Sequence, residues 1–228
     1  MQSFRTEIEN PIVENDIIEM DARSVAHIVD KGGTKIKSAR SQEFMTKEGR
    51  QQAFKNLKSH GIDALVAIGG DGTVNTVARR ATLESKILGI IPKGSGDGLA
   101  RFLGIPRHTQ KALDIILHGK QEKIDTASVS EQFFVNVAGS GFEAEVAHKF
   151  GQEGVRGLVG YAKTIFQSFG GREEQEVVLT VDGAKIKLPF FSLSIANGAQ
   201  WGNDFEIASA ADIQDGLLDV AIMRKPKF

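Results

Sequence analysis

The sequence predicts an α/β protein that binds its ligand at the carboxyl edge of an open sheet, followed by a region richer in strands. Three observations carry this prediction. Leu65-Val66-Ala67-Ile68 is a short apolar strand that runs into Gly69-Gly70-Asp71-Gly72-Thr73, with a helix-like stretch from Val74 to Ala81 behind it. Ile87-Leu88-Gly89-Ile90-Ile91 repeats the scheme, emptying into Pro92-Lys93-Gly94-Ser95-Gly96-Asp97-Gly98 and then the helical Leu99 to Leu103. From about Lys123 the texture changes to strand patterns and an Asp182-Gly183 hairpin turn. Two strands that each end in a glycine loop are the expected form of a sheet with its ligand at the carboxyl ends.

The elements follow in order. Asp21 reads as the N-cap of a helix over Ala22 to Asp30 that ends at Gly32-Gly33, and Lys35 to Ala39 is a short strand. Thr46 caps a second helix through Lys58, with Ala53, Phe54 and Leu57 inward and Gly61 at its end. Ala64 to Ile68 is the buried strand before the first glycines, and Thr109 to Leu117 adds a helix after the second. Strands are expected over Ile124 to Val129, Phe133 to Ala138, Val177 to Val181 paired with Ala184 to Leu188, Phe190 to Ala196, and Leu217 to Met223. One helix, Leu158 to Phe169, interrupts them. The change of texture places a boundary near residue 122. It separates an α/β nucleotide-binding domain (1–122) from a β-rich, sandwich-like domain (123–228), which stops just after a strand and is expected to be short of sheet partners.

Composition narrows the function classes. The chain has 228 residues, 41% hydrophobic and 25% charged, enough to bury an ordinary globular core. A formal net charge of −1 gives no global field toward nucleic acid or an anionic membrane. The absence of cysteine excludes disulfides and thiolate metal sites and suits a reducing cytosol. No stretch approaches the ~20 apolar residues of a membrane span, so a cytoplasmic protein, at most peripheral to a membrane, is expected.

The glycine loops carry the chemistry. Glycines let backbone N–H groups approach a polyphosphate, and the helix N-terminus behind them favours negative charge. Asp71 adds a carboxylate able to hold Mg²⁺ against phosphate oxygens, or, more plainly, a turn aspartate that satisfies backbone N–H groups. Thr73 is expected to cap the following helix. The pattern is neither the Walker loop nor the dinucleotide fingerprint, because no lysine follows and the glycine spacing differs.

These motifs resemble the diacylglycerol kinase-like lipid kinases, a group that also includes sphingosine and ceramide kinases. The matching residues are Gly69-Gly70-Asp71-Gly72-Thr73, Leu88 to Pro92 with Gly94-Ser95-Gly96, Ile124-Asp125, Gly139-Ser140-Gly141-Phe142, Ala196-Asn197 and Asp215 to Val220, within residues 62–228. Residues 13–72 resemble bacterial 6-phosphofructokinase instead, through Glu14 to Asp21, Gly32-Gly33-Thr34, Ser38-Ala39-Arg40-Ser41 and Gly61 to Val66. The two families share a nucleotide fold centred on GGDG, so a recombined or engineered chain spliced at that motif is the expectation. The resemblance implies the phosphofructokinase, NAD kinase and diacylglycerol kinase-like fold: a Rossmann-like nucleotide domain, then an antiparallel β-rich domain.

The resemblance also assigns roles. Asp71, Asp97 and Asp125 become the catalytic candidates. Gly69, Gly70, Asp71, Gly72, Thr73, Gly94, Ser95 and Gly96 would bind ATP, with Arg40 reaching the phosphates as in the phosphofructokinases; a surface arginine and a helix-capping Ser95 are the plain alternatives. Asp212, Asp215 and the Leu217 carbonyl match a structural Mg²⁺ site of bacterial lipid kinases, where an Asp-Gly turn needs no metal. Several positions depart from the lipid-kinase pattern. Asp97 stands where that family usually has Asn, Gly98 where many members carry Asp, and Glu143 where Asp is usual. No counterpart is found for the family's Asn-Pro-x-Ser-Gly loop or for its general-base Glu in a later strand. Asp97 adds negative charge beside a triphosphate, which repels unless a metal lies between them.

The expected function is ATP- and Mg²⁺-dependent phosphorylation of a lipid hydroxyl, of diacylglycerol or sphingoid type, with the substrate taken from a membrane surface. A kinase for a sugar phosphate or NAD, and a nucleotide-binding protein without catalysis, are the alternatives. Both resembled families commonly assemble, so a homo-oligomer is among the expectations. Phe133, Phe134, Phe142, Phe150, Phe166, Phe169, Phe190 and Phe191 enrich the second region in aromatics, which suits either a core or a lipid-accepting cleft.

Overall fold

The computed structural model describes residues 46–142, 144–145, 173–181, 183–203 and 205–225. The expected helix over Ala22 to Asp30, the strand over Lys35 to Ala39 and the helix over Leu158 to Phe169 lie outside these residues, as do Arg40, Glu143, Phe150, Phe166 and Phe169. The chain forms two compact units, Met1–Asp63 and Ala64–Phe228.

In the first unit, α1 (Lys47–Ser59) begins as its sequence predicts. The Thr46 hydroxyl accepts the Gly49 N–H at 2.9 Å, and Gly61 leaves the helix at φ +66°, a conformation that favours glycine. Ala53 is buried, with Phe54 and Leu57 half-buried. Asn56, not expected on that face, is also buried; its side-chain oxygen accepts from Gln52 at 3.0 Å and its carbonyl accepts from the Ser59 hydroxyl at 2.8 Å.

The second unit starts with two parallel strands, β1 (Ala64–Gly69) and β2 (Ile87–Pro92), in register from Ala64 opposite Ile87 to Gly69 opposite Pro92. Helix α2 (Asp71–Leu83) connects them. Parallel strands require such a crossover, and its apolar stripe of Val74, Ala78 and Ala81 is buried. Ala67, Ile90, Val74 and Ala78 share a core with Leu99, Ala100, Val135 and Ile213, so residues far apart in sequence close over one face of the strand pair. The opposite face is covered at Gly89, where a Cβ would lie 3.0 Å from Ile116 of α4 (Thr109–His118). The expectation of a fully buried β1 fails there: Val66 is 47% and Ile68 64% exposed. Only alternate residues of β1 meet the α2 side, and a strand's side chains point to opposite faces.

A five-residue helix, α3 (Gly98–Phe102), follows β2. The strand region begins with the tight hairpin β3 (Ala127–Val129) and β4 (Gln132–Phe134), and continues with β5 (Val137–Gly141). The expected single strand over Phe133 to Ala138 is broken in two. At the break, the Val135 N–H is taken by the Asn75 side chain at 3.2 Å, and the Val135 and Asn136 carbonyls accept from Asn197. Strands β6 (Gln175–Val181) and β7 (Ala184–Phe190) pair as the predicted hairpin, with Gly183 at φ +82°. Strand β8 (Ser192–Ala196) lies at the centre of an antiparallel sheet between β5 and β11 (Asp219–Met223), and β9 (Gln200–Gly202) pairs with β10 (Phe205–Glu206).

Of the aromatic positions named in the second region, four of the five described are core. Phe134, Phe142, Phe190 and Phe191 are buried, and the Phe142 and Phe191 rings stack 4.7 Å apart. Among the described residues no helix is long and apolar enough to cross a membrane.

Candidate functional site

Both glycine loops leave the carboxyl ends of paired strands, and they touch. The Lys93 N–H donates to the Gly69 carbonyl at 3.0 Å, extending the β1–β2 pairing into the loops. A Cβ on Gly94 would lie 2.4 Å from the Gly70 Cα, so only glycine allows the two backbones to pass this closely. On the far side, a Cβ on Gly98 would meet the Trp201 carbonyl at 2.7 Å, and Asn203 N–H donates to the Gly96 carbonyl at 3.2 Å. The second loop is thus held between the first loop and β9. Gly72 differs from its neighbours: it is exposed, and a Cβ there meets nothing within 4 Å. The space beside Gly72 in the first turn of α2 is therefore open, while the N-cap Gly70 lies against Gly94.

Asp71, the first residue of α2, spans both loops. Its two carboxylate oxygens accept the N–H groups of Gly98 and Leu99, each at 3.0 Å. These are the amides that begin α3, whose own N-cap residue, Asp97, is left-handed at φ 53° and makes no capping bond. Asp71 thus caps a helix 27 residues away in sequence, the turn-aspartate reading applied across the site. Each oxygen keeps acceptor capacity beyond these bonds.

Asp97 is buried. Its Oδ1 accepts the Gly94 N–H at 2.7 Å, and its Oδ2 lies 3.1 Å from Nε of Arg107 in an ion pair without an aligned hydrogen bond. Arg107 also donates from Nη2 to the Gly94 carbonyl at 2.8 Å, and Arg101 Nε donates to the Gly96 carbonyl at 3.0 Å. The Gly94 N–H, expected to be bare, is therefore occupied by Asp97. Ser95 and Lys93 are exposed.

Thr73 does not cap α2. The N-cap is Gly70, with no side-chain capping bond, and Thr73 falls inside the first turn, where its side chain packs toward Gly69. The glycine loop runs straight into the helix, so the capping position falls to a residue without a side chain.

The remaining candidates lie together elsewhere. Asp125 Oδ2 accepts the Gly216 N–H at 2.7 Å, and the Asp125 N–H donates to the Ile213 carbonyl at 2.7 Å. Asp125 is thereby joined to the loop that carries Asp212, Asp215 and Leu217. In that loop Asp212 Oδ1 accepts from Gln214 N–H at 3.0 Å and Asp215 Oδ1 from Leu217 N–H at 2.8 Å. Both aspartates bond locally, as in Asx turns. Among the described residues no group of three or more His, Cys, Asp or Glu side chains is placed to hold a metal ion. Mg²⁺ characteristically uses only one or two carboxylates and completes its shell with water and substrate phosphates. The hard oxygens of Asp71, and separately of Asp212 and Asp215, fit that mode of binding.

Sequence reading missed Arg107 and Asn75, and named Asn197 only within the Ala196-Asn197 motif, without a role. Arg107 carried no motif, and its only signal was a positive charge a few residues beyond the anomalous Asp97. Asn75 donates to the Phe133 carbonyl and accepts from Val135, fixing α2 to the strand region. Asn197, 1% exposed, donates to the carbonyls of Asp125 and Val135 at 2.9 and 2.8 Å.

Two adjacent parallel strands, crossed by a helix and ending in apposed glycine loops, define an α/β unit with an antiparallel β region behind it. The diacylglycerol kinase catalytic domain matches residues 10–129, and the YegS C-terminal NAD kinase beta sandwich-like domain matches residues 136–227. The chain belongs to the diacylglycerol kinase catalytic-domain family. It is 30% identical over 180 residues to the diacylglycerol kinase of Bacillus subtilis, covering 76% of this chain and 59% of that protein. It is 40% identical over 127 residues to the ATP-dependent 6-phosphofructokinase of Halothermothrix orenii, covering 54% of this chain and 37% of that one. The crystal structure of a diacylglycerol kinase from Bacillus anthracis superposes with a TM-score of 0.61 at 27% identity, covering 82% of this chain and 61% of that one. The chain spans under two thirds of each of these proteins.

Proposed function

We propose that this chain is an ATP- and Mg²⁺-dependent lipid kinase that transfers the γ-phosphoryl group to the hydroxyl of a diacylglycerol or a sphingoid base. The observation that carries the reading is the backbone contact between Gly70 and Gly94, which sets two glycine loops side by side at the ends of paired strands, next to the open space at Gly72. Phosphoryl transfer depends on positioning and charge stabilisation more than on covalent chemistry, and these residues suit that task. The phosphates rest against Gly69 to Thr73 and Gly94 to Gly96, held by first-turn amides of α2. Arg40 would supply a guanidinium for phosphate, as the resemblance to the phosphofructokinases implies. Asp71 keeps the two loops in register and lies next to the proposed phosphates, whereas a catalytic role for Asp125 rests on the family resemblance, because its carboxylate is bonded to Gly216 of the neighbouring loop. Bound Mg²⁺ would neutralise triphosphate charge there, and a second, structural ion would take oxygens from Asp212, Asp215 and the Leu217 carbonyl.

In this reading the nucleotide domain runs to about residue 122 and the β-rich domain follows. The protein works in the cytoplasm at a membrane surface, takes its lipid from there, and assembles as a homo-oligomer. The partial similarity to 6-phosphofructokinases, which share this fold, keeps a soluble acceptor as the second reading, and the diacylglycerol kinase catalytic domain already matches from residue 10 across the segment expected to be phosphofructokinase-like.

The test offers γ-labelled ATP with diacylglycerol in mixed micelles, sphingosine, fructose 6-phosphate and NAD in parallel. Label on a lipid is the expected result. Label only on fructose 6-phosphate or NAD moves the acceptor class to the second reading. Tight Mg-ATP binding without any labelled product marks a nucleotide-binding protein without catalysis, and absence of binding removes the site.

A further inference from the structure

Asp97 is a carboxylate with 1% side-chain exposure inside a loop read as an anion site. A negative charge there opposes a triphosphate, and burial strips it of the water that would screen it. Arg107 answers both problems. Its Nε lies 3.1 Å from Asp97 Oδ2 and its Nη2 donates to the Gly94 carbonyl at 2.8 Å, while Asp97 Oδ1 accepts the Gly94 N–H at 2.7 Å. One ion pair therefore holds Gly94 at both its N–H and its C=O. The C=O and the following N–H of a trans peptide point in opposite directions, and the described residues contain no cis bond. Fixing the Gly94 oxygen on Arg107 thus turns the Ser95 N–H away from the guanidinium.

We infer that Arg107 is a positioning residue that sets nucleotide affinity: it neutralises buried Asp97 and fixes the direction in which the Ser95 N–H is offered. This rests on the nucleotide reading of the loops. Arg107 touches the loop and not the reacting atoms, so its effect falls on binding. The pair is asymmetric, because the Arg107 side chain is 52% exposed while its partner is sealed. Removing the arginine strands a buried charge, whereas removing both charges does not.

The experiment is a Mg-ATP titration of the wild-type chain, Arg107→Ala, Asp97→Asn and the double variant, with amide exchange at Gly94 and Ser95 followed in the ligand-free proteins. Arg107→Ala is expected to weaken binding by about tenfold or more. Adding Asp97→Asn to it should recover most of that loss by removing the stranded charge. Arg107→Lys, which keeps the charge but lacks the planar fork, should fall between. The Gly94 amide should exchange slowly in the wild type and fast in Arg107→Ala. If Arg107→Ala does not fold, Arg107→Gln with and without Asp97→Asn makes the same comparison.

A double variant that binds no better than the single one overturns the charge-compensation role. Equal binding by wild type and Arg107→Ala overturns the inference and leaves the nucleotide reading standing. A wild-type chain that binds no Mg-ATP removes the nucleotide reading, and the inference falls with it.

Discussion

Replacing Gly94 with alanine tests the apposition of the loops directly. The added Cβ would sit 2.4 Å from the Gly70 Cα and 2.6 Å from Asp97 Oδ1. Carbon atoms rest about 3.5–4.0 Å apart, so the loops must separate by about 1 Å. That movement stretches the 3.0 Å Lys93–Gly69 bond and the 2.7 Å bond from Gly94 to Asp97 beyond useful range. One neutral and one charge-assisted hydrogen bond together contribute about 2–4 kcal/mol. For a chain of this size the melting temperature should fall by about 5–15 °C. Gly72→Ala is the control, because its Cβ meets nothing within 4 Å and the residue lies in the first turn of α2. Alanine there should stabilise by about 0.5–1 kcal/mol and raise the melting temperature by a few degrees. The same methyl stands where a phosphate is proposed to approach the helix N-terminus, so Mg-ATP affinity should drop even as stability rises. Differential scanning fluorimetry with and without Mg-ATP reads both effects. A Gly94→Ala protein melting within a degree of wild type would refute the contact, and undiminished ATP affinity in Gly72→Ala would refute the placement of the phosphates.

Asn197→Ala should lower the urea midpoint, by about 1–3 kcal/mol of stability, since it removes the donor from the buried Val135 bond and the half-buried Asp125 bond. An unchanged midpoint would mean that solvent reaches both carbonyls. Gly98→Ala should destabilise as Gly94→Ala does, because its Cβ would press on the Trp201 and Gln200 carbonyls at 2.7 and 2.8 Å; a neutral result would show that β9 does not lie against α3. In the β3–β4 turn, Ser130 and Glu131 both adopt positive φ, 46° and 63°, in a two-residue loop that favours Asn-Gly. Glu131→Gly should therefore stabilise by about 1 kcal/mol, detectable as a higher thermal midpoint, and a lower midpoint would contradict the left-handed geometry.

The parts of the fold that were legible in the sequence are those written locally. Apolar runs followed by glycines gave β1, α2 and β2, Thr46 gave the start of α1, and Asp182-Gly183 gave the β6–β7 hairpin. Each depends on residues within one turn of one another. One misreading involves partners far along the chain, and another is local. Asn75 and Asn197 claim the backbone of Val135 and Asn136, which breaks a segment whose composition reads as one strand. Thr73 has the side chain of a helix cap, but the glycine loop places the capping position at Gly70. The site divides in the same way. The glycines and Asp71 announced themselves as a motif, whereas Arg107 acquires its role only when folding brings it to Asp97. No local pattern marks it.

The two hydrogen bonds that Asp71 accepts from the amides of Gly98 and Leu99 complicate its use as a probe. An alanine there deletes a keystone as well as a would-be metal ligand, so dead enzyme would be uninformative by itself. Asparagine keeps one of the two bonds through its single oxygen and turns its NH2 toward the other amide, so its loss of magnesium response is informative only beside a measured melting temperature. A folded Asp71→Asn protein that holds its shape but no longer responds to magnesium would mark the aspartate as more than masonry.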